Sequence, residues 1–237
     1  MIQNPLIVAI DKHDFIEAIG LVSSVKDYCA MVKLGLEFFV ANGMQGVNKI
    51  AEIGVKVFLD LKLHDIPNTV ASAVGSCAKY GHEDIKLLTI HASGGAEMMK
   101  SAVLARNAVL GGNQLKLIGV TALTSDGNAN AQHVLDLAMT CKEAGMDGIV
   151  CSGMESMTVK TGLIQAFGSN AMKDFEIIVP GIRPKSYNTA DDQARIVTPS
   201  VAMQNGATFI VVGRPISQSR NPAVAAKEIS DEICAMR

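Results

Sequence analysis

The chain has 237 residues, 49% of them hydrophobic and 19% charged, with a formal net charge of −2 at pH 7. That content suits a globular protein with a sizeable core, and the near-neutral balance excludes a broad attraction to nucleic acid or an anionic membrane. Five scattered cysteines without CxxC spacing argue against a disulfide framework or a thiolate metal site and fit a reducing cytoplasm.

The N-terminal Met1–Pro5 has no basic stretch, and the apolar run Leu6–Ile10 stops at Asp11, which argues against a signal peptide. No apolar stretch approaches the roughly 18 residues that a membrane span needs. Further short apolar runs follow at Ala30–Leu34, Val55–Leu59, Ile85–Ile90, Leu115–Val120, Gly148–Cys151, Glu176–Val179 and Thr208–Val212. Amphipathic, helix-like segments lie between them, as at Val70–Ala78, Glu97–Leu110, His133–Ala144 and Pro222–Met236.

Runs that are apolar on both faces read as parallel strands covered by helices. Eight such units in a chain of this length match the arithmetic of a (β/α)8 TIM barrel, an α/β fold of roughly 250 residues. A doubly wound open sheet is the alternative. It usually shows a GxGxxG turn after its first strand, where this chain has Asp11-Lys-His-Asp14. No linker, low-complexity segment or composition shift divides the sequence, so one domain spanning 1–237 is expected.

Chemistry in such a barrel sits where strands end. The residues closing the runs are Asp11; Lys33 with Gly35; Asp60, Lys62 and Asp65; His91; Thr121 and Thr124; Ser152; Gly181 and Arg183; and Gly213 with Arg214. Strand alternation points Asp60 and Lys62 to one face, and Asp65 comes where the strand hands over to a helix. Charges there are costly unless paired. One reading is a structural ion pair, with Asp65 capping the helix that Ile66-Pro67 begins. The other is a reaction centre, favoured by Lys33, which closes a neighbouring strand and would face the same mouth. Two lysines and two aspartates make an alternating network that keeps its lysines protonated and can donate a proton to a carbanion without metal or cofactor.

Pro180-Gly-Ile-Arg183 and Val212-Gly-Arg-Pro-Ile216 close the seventh and eighth runs, where these barrels usually bind phosphate. Glycine admits close approach of backbone N–H groups, and arginine supplies a permanent bidentate cation. A phosphate monoester on the substrate is therefore expected, against the alternative of surface arginines beside structural glycines. His91 reads more readily as a packed strand-end histidine than as a catalyst. His64, the twelve methionines and Ser152 receive no catalytic role.

The block Phe58-Leu-Asp-Leu-Lys-Leu-His-Asp-Ile-Pro-Asn-Thr69 closely resembles the signature of the orotidine 5'-phosphate decarboxylase family. So do Lys33-Leu-Gly-Leu-Glu37, Leu123-Thr-Ser125, Pro180-Gly-Ile-Arg183, Asp191-Asp-Gln193 and Val212-Gly-Arg-Pro-Ile216, in order along essentially the whole chain. Val179 departs from the threonine the family often places there. The resemblance implies cofactor-free conversion of orotidine 5'-monophosphate to UMP and carbon dioxide, the last step of de novo UMP synthesis.

It also implies roles. Lys62 would be the proton donor to C6 of the pyrimidine, and Asp60 would sit against the leaving carboxylate. Lys33 and Asp11 would hold ribose hydroxyls and the charge network. Asp65 and Thr69 would reach into a partner subunit's site, making a homodimer with shared active sites the functional unit. Thr124 would contact the pyrimidine edge, and Arg183, Gln193, Gly213 and Arg214 the phosphate, under a lid formed by residues 184–192. No metal is expected. A related barrel type, the 3-keto-gulonate 6-phosphate decarboxylases and hexulose-phosphate synthases, uses magnesium and has an acidic residue where this chain has Lys33. A barrel that binds nucleotide without turnover is the rival of a different class.

Overall fold

Leu6–Ile10 (β1) shows the rule that builds this chain, since all five of its residues are buried and its two faces pack against different things. Ile7 and Ala9 join Met31, Phe58, Leu87, Ile118, Ile178, Phe209 and Val211 in one apolar cluster. Leu6, Val8 and Ile10 belong to a second, larger cluster made with the helices. The first cluster fills the inside of a barrel and the second lies between barrel and helices, which is why the runs are apolar throughout rather than alternating.

The structure is a computed structural model describing residues 4–110, 114–122, 130–184, 187 and 196–235. The further strands are Met31–Gly35 (β2), Val57–Leu63 (β3), Ile85–His91 (β4), Lys116–Val120 (β5), Gly148–Val150 (β6), Glu176–Val179 (β7) and Phe209–Val212 (β8). All pairings are parallel, and the ring closes where Leu6 of β1 pairs with Ile210 of β8. This closed (β/α)8 barrel removes the open doubly wound sheet from consideration.

The helices are Phe15–Val25 (α1), Leu36–Ala51 (α2), Pro67–Tyr80 (α3), Gly95–Asn107 (α4), Ala131–Glu143 (α5), Ser156–Phe167 (α6), Pro199–Gln204 (α7), Arg214–Ser217 (α8) and Pro222–Cys234 (α9). Their starts are locally encoded. Asp14, Asn130, Thr198 and Asn221 each accept a hydrogen bond from a backbone N–H three residues on. Proline opens α3, α7 and α9, where its missing N–H costs nothing. No helix of the described residues is long and apolar enough to cross a membrane.

Two features set the ends of the barrel. At the N-terminal mouth Lys116 and Glu176 pair at 2.6 Å, and Gly148 lies against Glu176 with no room for a Cβ. At the other mouth β3 runs past its expected end at Leu59 and changes register against β4. Leu59 pairs with Leu88, but Leu63 pairs with Ile90, so four steps on β3 face two on β4. Lys62 lies inside this bulge with φ of 52°, in the left-handed region that residues with a Cβ rarely enter.

Candidate active site

Along the inward-facing positions toward the C-terminal mouth, the apolar filling gives way to charge. Asp11, after β1, continues the face of Ile7 and Ala9; Lys33 continues that of Met31; Asp60 continues that of Phe58. Neighbouring strands thus deliver the three side chains to one place. Lys33 Nζ lies 3.6 Å from Asp11 Oδ1 and 3.4 Å from Asp60 Oδ2, while Lys62 Nζ donates to Asp60 Oδ2 at 2.7 Å. The result is a chain of alternating sign, Asp11–Lys33–Asp60–Lys62.

Lys62 reaches this chain by a route that plain alternation does not describe. Its backbone is in the bulge, yet the positive φ still leaves its ammonium on Asp60. The lysine N–H in the bulge donates to the Thr89 hydroxyl at 2.8 Å, and that hydroxyl donates to Asp60 Oδ1 at 2.9 Å. Thr89 is fully buried in the middle of β4. Sequence reasoning passed over it because a threonine in the run Leu87-Leu-Thr-Ile90 reads as a β-branched strand former.

Asp60 is the buried centre, its side chain 10% exposed against 15% for Lys33, 31% for Lys62 and 53% for Asp11. Burial works against its charge, but the two lysines and the Thr89 hydrogen bond outweigh that and hold its carboxyl below the usual range. His91, the last residue of β4, stacks at 5.5 Å and 42° on His64. Burial, then the neighbouring His64 and Lys62, push the His91 imidazole down. It closes its strand half-buried.

Asp65 and Thr69 are exposed, at the start of α3. Asp65 Oδ1 accepts from the N–H of the adjacent Ile66, not from a residue inside the helix. The helix N-cap position is Ile66, without a side-chain cap, so helix capping does not account for Asp65. Within the one chain Asp11 is the fourth group of the alternating chain, while Asp65, the fourth member expected from the sequence, accepts from Ile66 N.

Among the other strand-end residues, the Thr121 hydroxyl donates to the Val150 carbonyl at 2.8 Å, and Ser152 accepts from Met154 N at 3.2 Å. Arg183 is buried, with Nη1 donating to its neighbour's carbonyl at Ile182 and its guanidinium 5.6 Å from the Tyr187 ring centre. The Gly181 before it has φ of 74°, so a side chain there would be strained. Arg214 begins α8 and is half-buried; Gly213 stands before it, above Asp11 and Ala9. Thr124, Gln193 and most of the 184–192 segment lie outside the described residues.

Two cavities open at this end. One of about 170 Å³ is lined by Lys33, Phe58, Asp60, Lys62, Val120, Ala122, Val150, Pro180 and Val211. A larger one, about 750 Å³, is bordered by Pro184, Tyr187, Arg214 and residues of α9. The smaller is the one lined by the charged groups Lys33, Asp60 and Lys62, alongside apolar Phe58, Val120, Val150 and Val211. Among the described residues, no group of three or more His, Cys, Asp or Glu side chains is arranged to hold a metal ion.

Residues 4–229 match the model of the Orotidine 5'-phosphate decarboxylase / HUMPS family. The chain is 45% identical over 238 residues to an orotidine 5'-phosphate decarboxylase of Wolbachia pipientis subsp. Culex pipiens, covering 96% of this chain and 97% of that relative. It is 41% identical to one from Ehrlichia chaffeensis, covering 97% and 96% respectively. Among solved structures it is similar to the orotidine 5'-phosphate decarboxylase of Lactobacillus acidophilus, with a TM-score of 0.78, 35% identity, and 97% and 99% of the two chains covered. The fold is also shared with the enzyme of Methanocaldococcus jannaschii complexed with inhibitor BMP, at a TM-score of 0.77 and 21% identity.

Proposed function

Because the chain belongs to the Orotidine 5'-phosphate decarboxylase / HUMPS family and is an enzyme of that kind, we propose that it decarboxylates orotidine 5'-monophosphate to UMP through the Asp11–Lys33–Asp60–Lys62 chain. The observation that carries this reading is the pair of lysines held on one buried carboxylate at the barrel mouth. In the reaction the bond from C6 to the carboxylate carbon breaks, its electron pair stays on C6, and carbon dioxide leaves. Lys62 then gives a proton to C6, and the neutral amine recovers one from water.

The magnitudes assign the work. Repulsion between Asp60 and a substrate carboxylate about 4 Å away, at an effective dielectric near 20, amounts to about 4 kcal/mol. That is roughly a thousandfold in rate, whereas the strongest enzymes supply on the order of 20 kcal/mol. The larger share falls to Lys62, a preorganised cation where negative charge develops. Asp60 fixes that cation and adds a smaller destabilisation of the bound carboxylate.

Around this centre we assign Lys33 and Asp11 to the ribose hydroxyls, and Thr124 to the pyrimidine edge. Arg183, Gln193, Gly213 and Arg214 hold the phosphate. Asp65 and Thr69 serve the site of a partner subunit in a homodimer; their exposure, and the carboxylate of Asp65 lying outside its own chain's network, support this. The setting is the cytoplasm, and the chemistry is metal-free. The family name also covers magnesium-dependent barrels, and Lys33 separates the two readings. An ammonium at that position repels a divalent cation and completes the charge alternation.

The test is loss of orotidine monophosphate absorbance, measured with and without a chelator. Turnover unaffected by chelator is expected. Activity abolished by chelator and restored by magnesium overturns the reading, and binding of UMP without turnover would point to a ligand-binding barrel instead.

A further inference from the structure

Thr89 stands where the network's two halves meet, and none of the roles assigned to the site uses it. Its side chain is fully buried on the interior face of β4, one inward position above Leu87 and next to the bulge of β3. A hydroxyl has one proton to give and lone pairs to accept with. Here the proton goes to Asp60 Oδ1 at 2.9 Å, and a lone pair takes the Lys62 backbone N–H at 2.8 Å.

Each bond answers a specific need. The register change of β3 leaves Lys62 opposite no β4 residue in the ladder, so its part-buried N–H turns to another acceptor. Its φ of 52° is a conformation that a side-chain-bearing residue keeps only when its surroundings hold it there. On the other side, Asp60 has two oxygens and two lysine neighbours. With Oδ1 occupied by Thr89, Oδ2 is the oxygen that meets both Lys62 Nζ at 2.7 Å and Lys33 Nζ at 3.4 Å.

We infer that Thr89 is a positioning residue for the decarboxylation: its hydroxyl locks the left-handed backbone of Lys62 and the rotation of the Asp60 carboxylate, so that the Lys62 ammonium is aimed before substrate arrives. The inference rests on the assignment of Lys62 as proton donor. Misplacing a reacting group by about 1 Å can cost on the order of a hundredfold in rate, and the Lys62 side chain, 31% exposed, borders an open cavity rather than a packed wall.

Thr89→Val replaces the hydroxyl with a methyl of nearly the same shape, and Thr89→Ser keeps the hydroxyl and removes the methyl. Both are assayed for kcat and KM with orotidine monophosphate, and for affinity toward UMP, with Lys62→Ala in parallel. The valine variant is expected to lose about a hundredfold in kcat. KM and UMP affinity should change by less than about threefold, since the phosphate and ribose contacts are untouched. The serine variant should recover most of the lost kcat. If the valine variant is not obtained folded, Thr89→Cys, with its weaker hydrogen-bonding group, carries the same expectation.

A valine variant with near-normal kcat overturns the proposal. So does a serine variant impaired as badly as valine, which would make packing rather than the hydroxyl the cause, and so does a loss confined to KM. Lys62→Ala separates the two levels. Substantial turnover without Lys62 defeats the donor assignment and the clamp together; a dead Lys62→Ala beside an unimpaired Thr89→Val defeats the clamp alone.

Discussion

On the proposed mechanism Lys62 has to be charged, aimed and still able to part with its proton, and each demand has a structural counterpart. Asp60 supplies the counter-charge, the bulge supplies the direction, and the side chain's partial exposure leaves the ammonium facing the cavity. Lys62→Ala is therefore expected to remove nearly all turnover while binding of UMP largely survives, as read by single-turnover assay and titration calorimetry. His91 provides a test of the local electrostatics. Its folded value lies below the ordinary 6.5, so on acidification the unfolded chain takes up this proton first. Stability contributed by the neutral imidazole is full above that value and declines as pH falls from about 6.5 toward the folded value. Thermal unfolding followed from about pH 7.5 to 5.5 should show a Tm decline that is shallower in His91→Gln than in the parent. Equal slopes would mean that His91 titrates normally. Asp60 acts in the same direction over a more acidic window: its carboxyl stays ionised to below 3.8, and its pairing is lost only when pH falls through the lower folded value.

Strands and loops divide the labour, with β1, β2 and β3 presenting the charges and the turns after β7 and β8 presenting arginines. Arg214→Ala should raise KM for the nucleotide strongly and have little effect on a substrate lacking the phosphate; equal losses on both would remove the phosphate assignment. At the opposite end, Asp147 ties α4 to β5 and β6, accepting from the buried Arg106 guanidinium and from Leu117 N at 2.8 Å. Asp147→Ala leaves that arginine buried without its carboxylate and should lower stability by about 2–3 kcal/mol, read as a drop in Tm, with kcat at 25 °C unchanged. This element scale is also where sequence reading reached furthest. Every apolar run became a strand, because inward and outward faces are both apolar and nothing else in the chain looks like that. The end of β3 was misplaced since Asp60 and Lys62 look like a strand's stop, whereas the bulge carries the pairing on to Leu63. Lys33 and Asp60 could be paired from strand endings alone. The link from Lys33 to Asp11, the left-handed turn at Lys62 and the double hydrogen bond of Thr89 could not, since each depends on the register between strands.

For the whole molecule, the proposed homodimer makes a sharp prediction. If Asp65 completes the partner's site, Asp65→Asn and Lys62→Ala subunits are each defective alone, yet a mixed dimer contains one site with both native residues. Random exchange of equal amounts should restore about a quarter of wild-type sites, measured as turnover after mixing and subunit exchange. No recovery would mean that each site is built from one chain. The barrel interior has a consequence of its own. Between the Lys116–Glu176 pair at one mouth and the lysines at the other lies a plug of Ile7, Ala9, Met31, Phe58, Leu87, Ile118, Ile178, Phe209 and Val211, none more than 6% exposed. A plug made only of buried apolar side chains offers water no polar partners to form a wire. On the proposed mechanism Lys62 can be reloaded only from the side by which the nucleotide enters, and the bound nucleotide stands in that path. On that mechanism the enzyme works like a single-shot device, taking up substrate with the one proton it will spend and recharging after product has left.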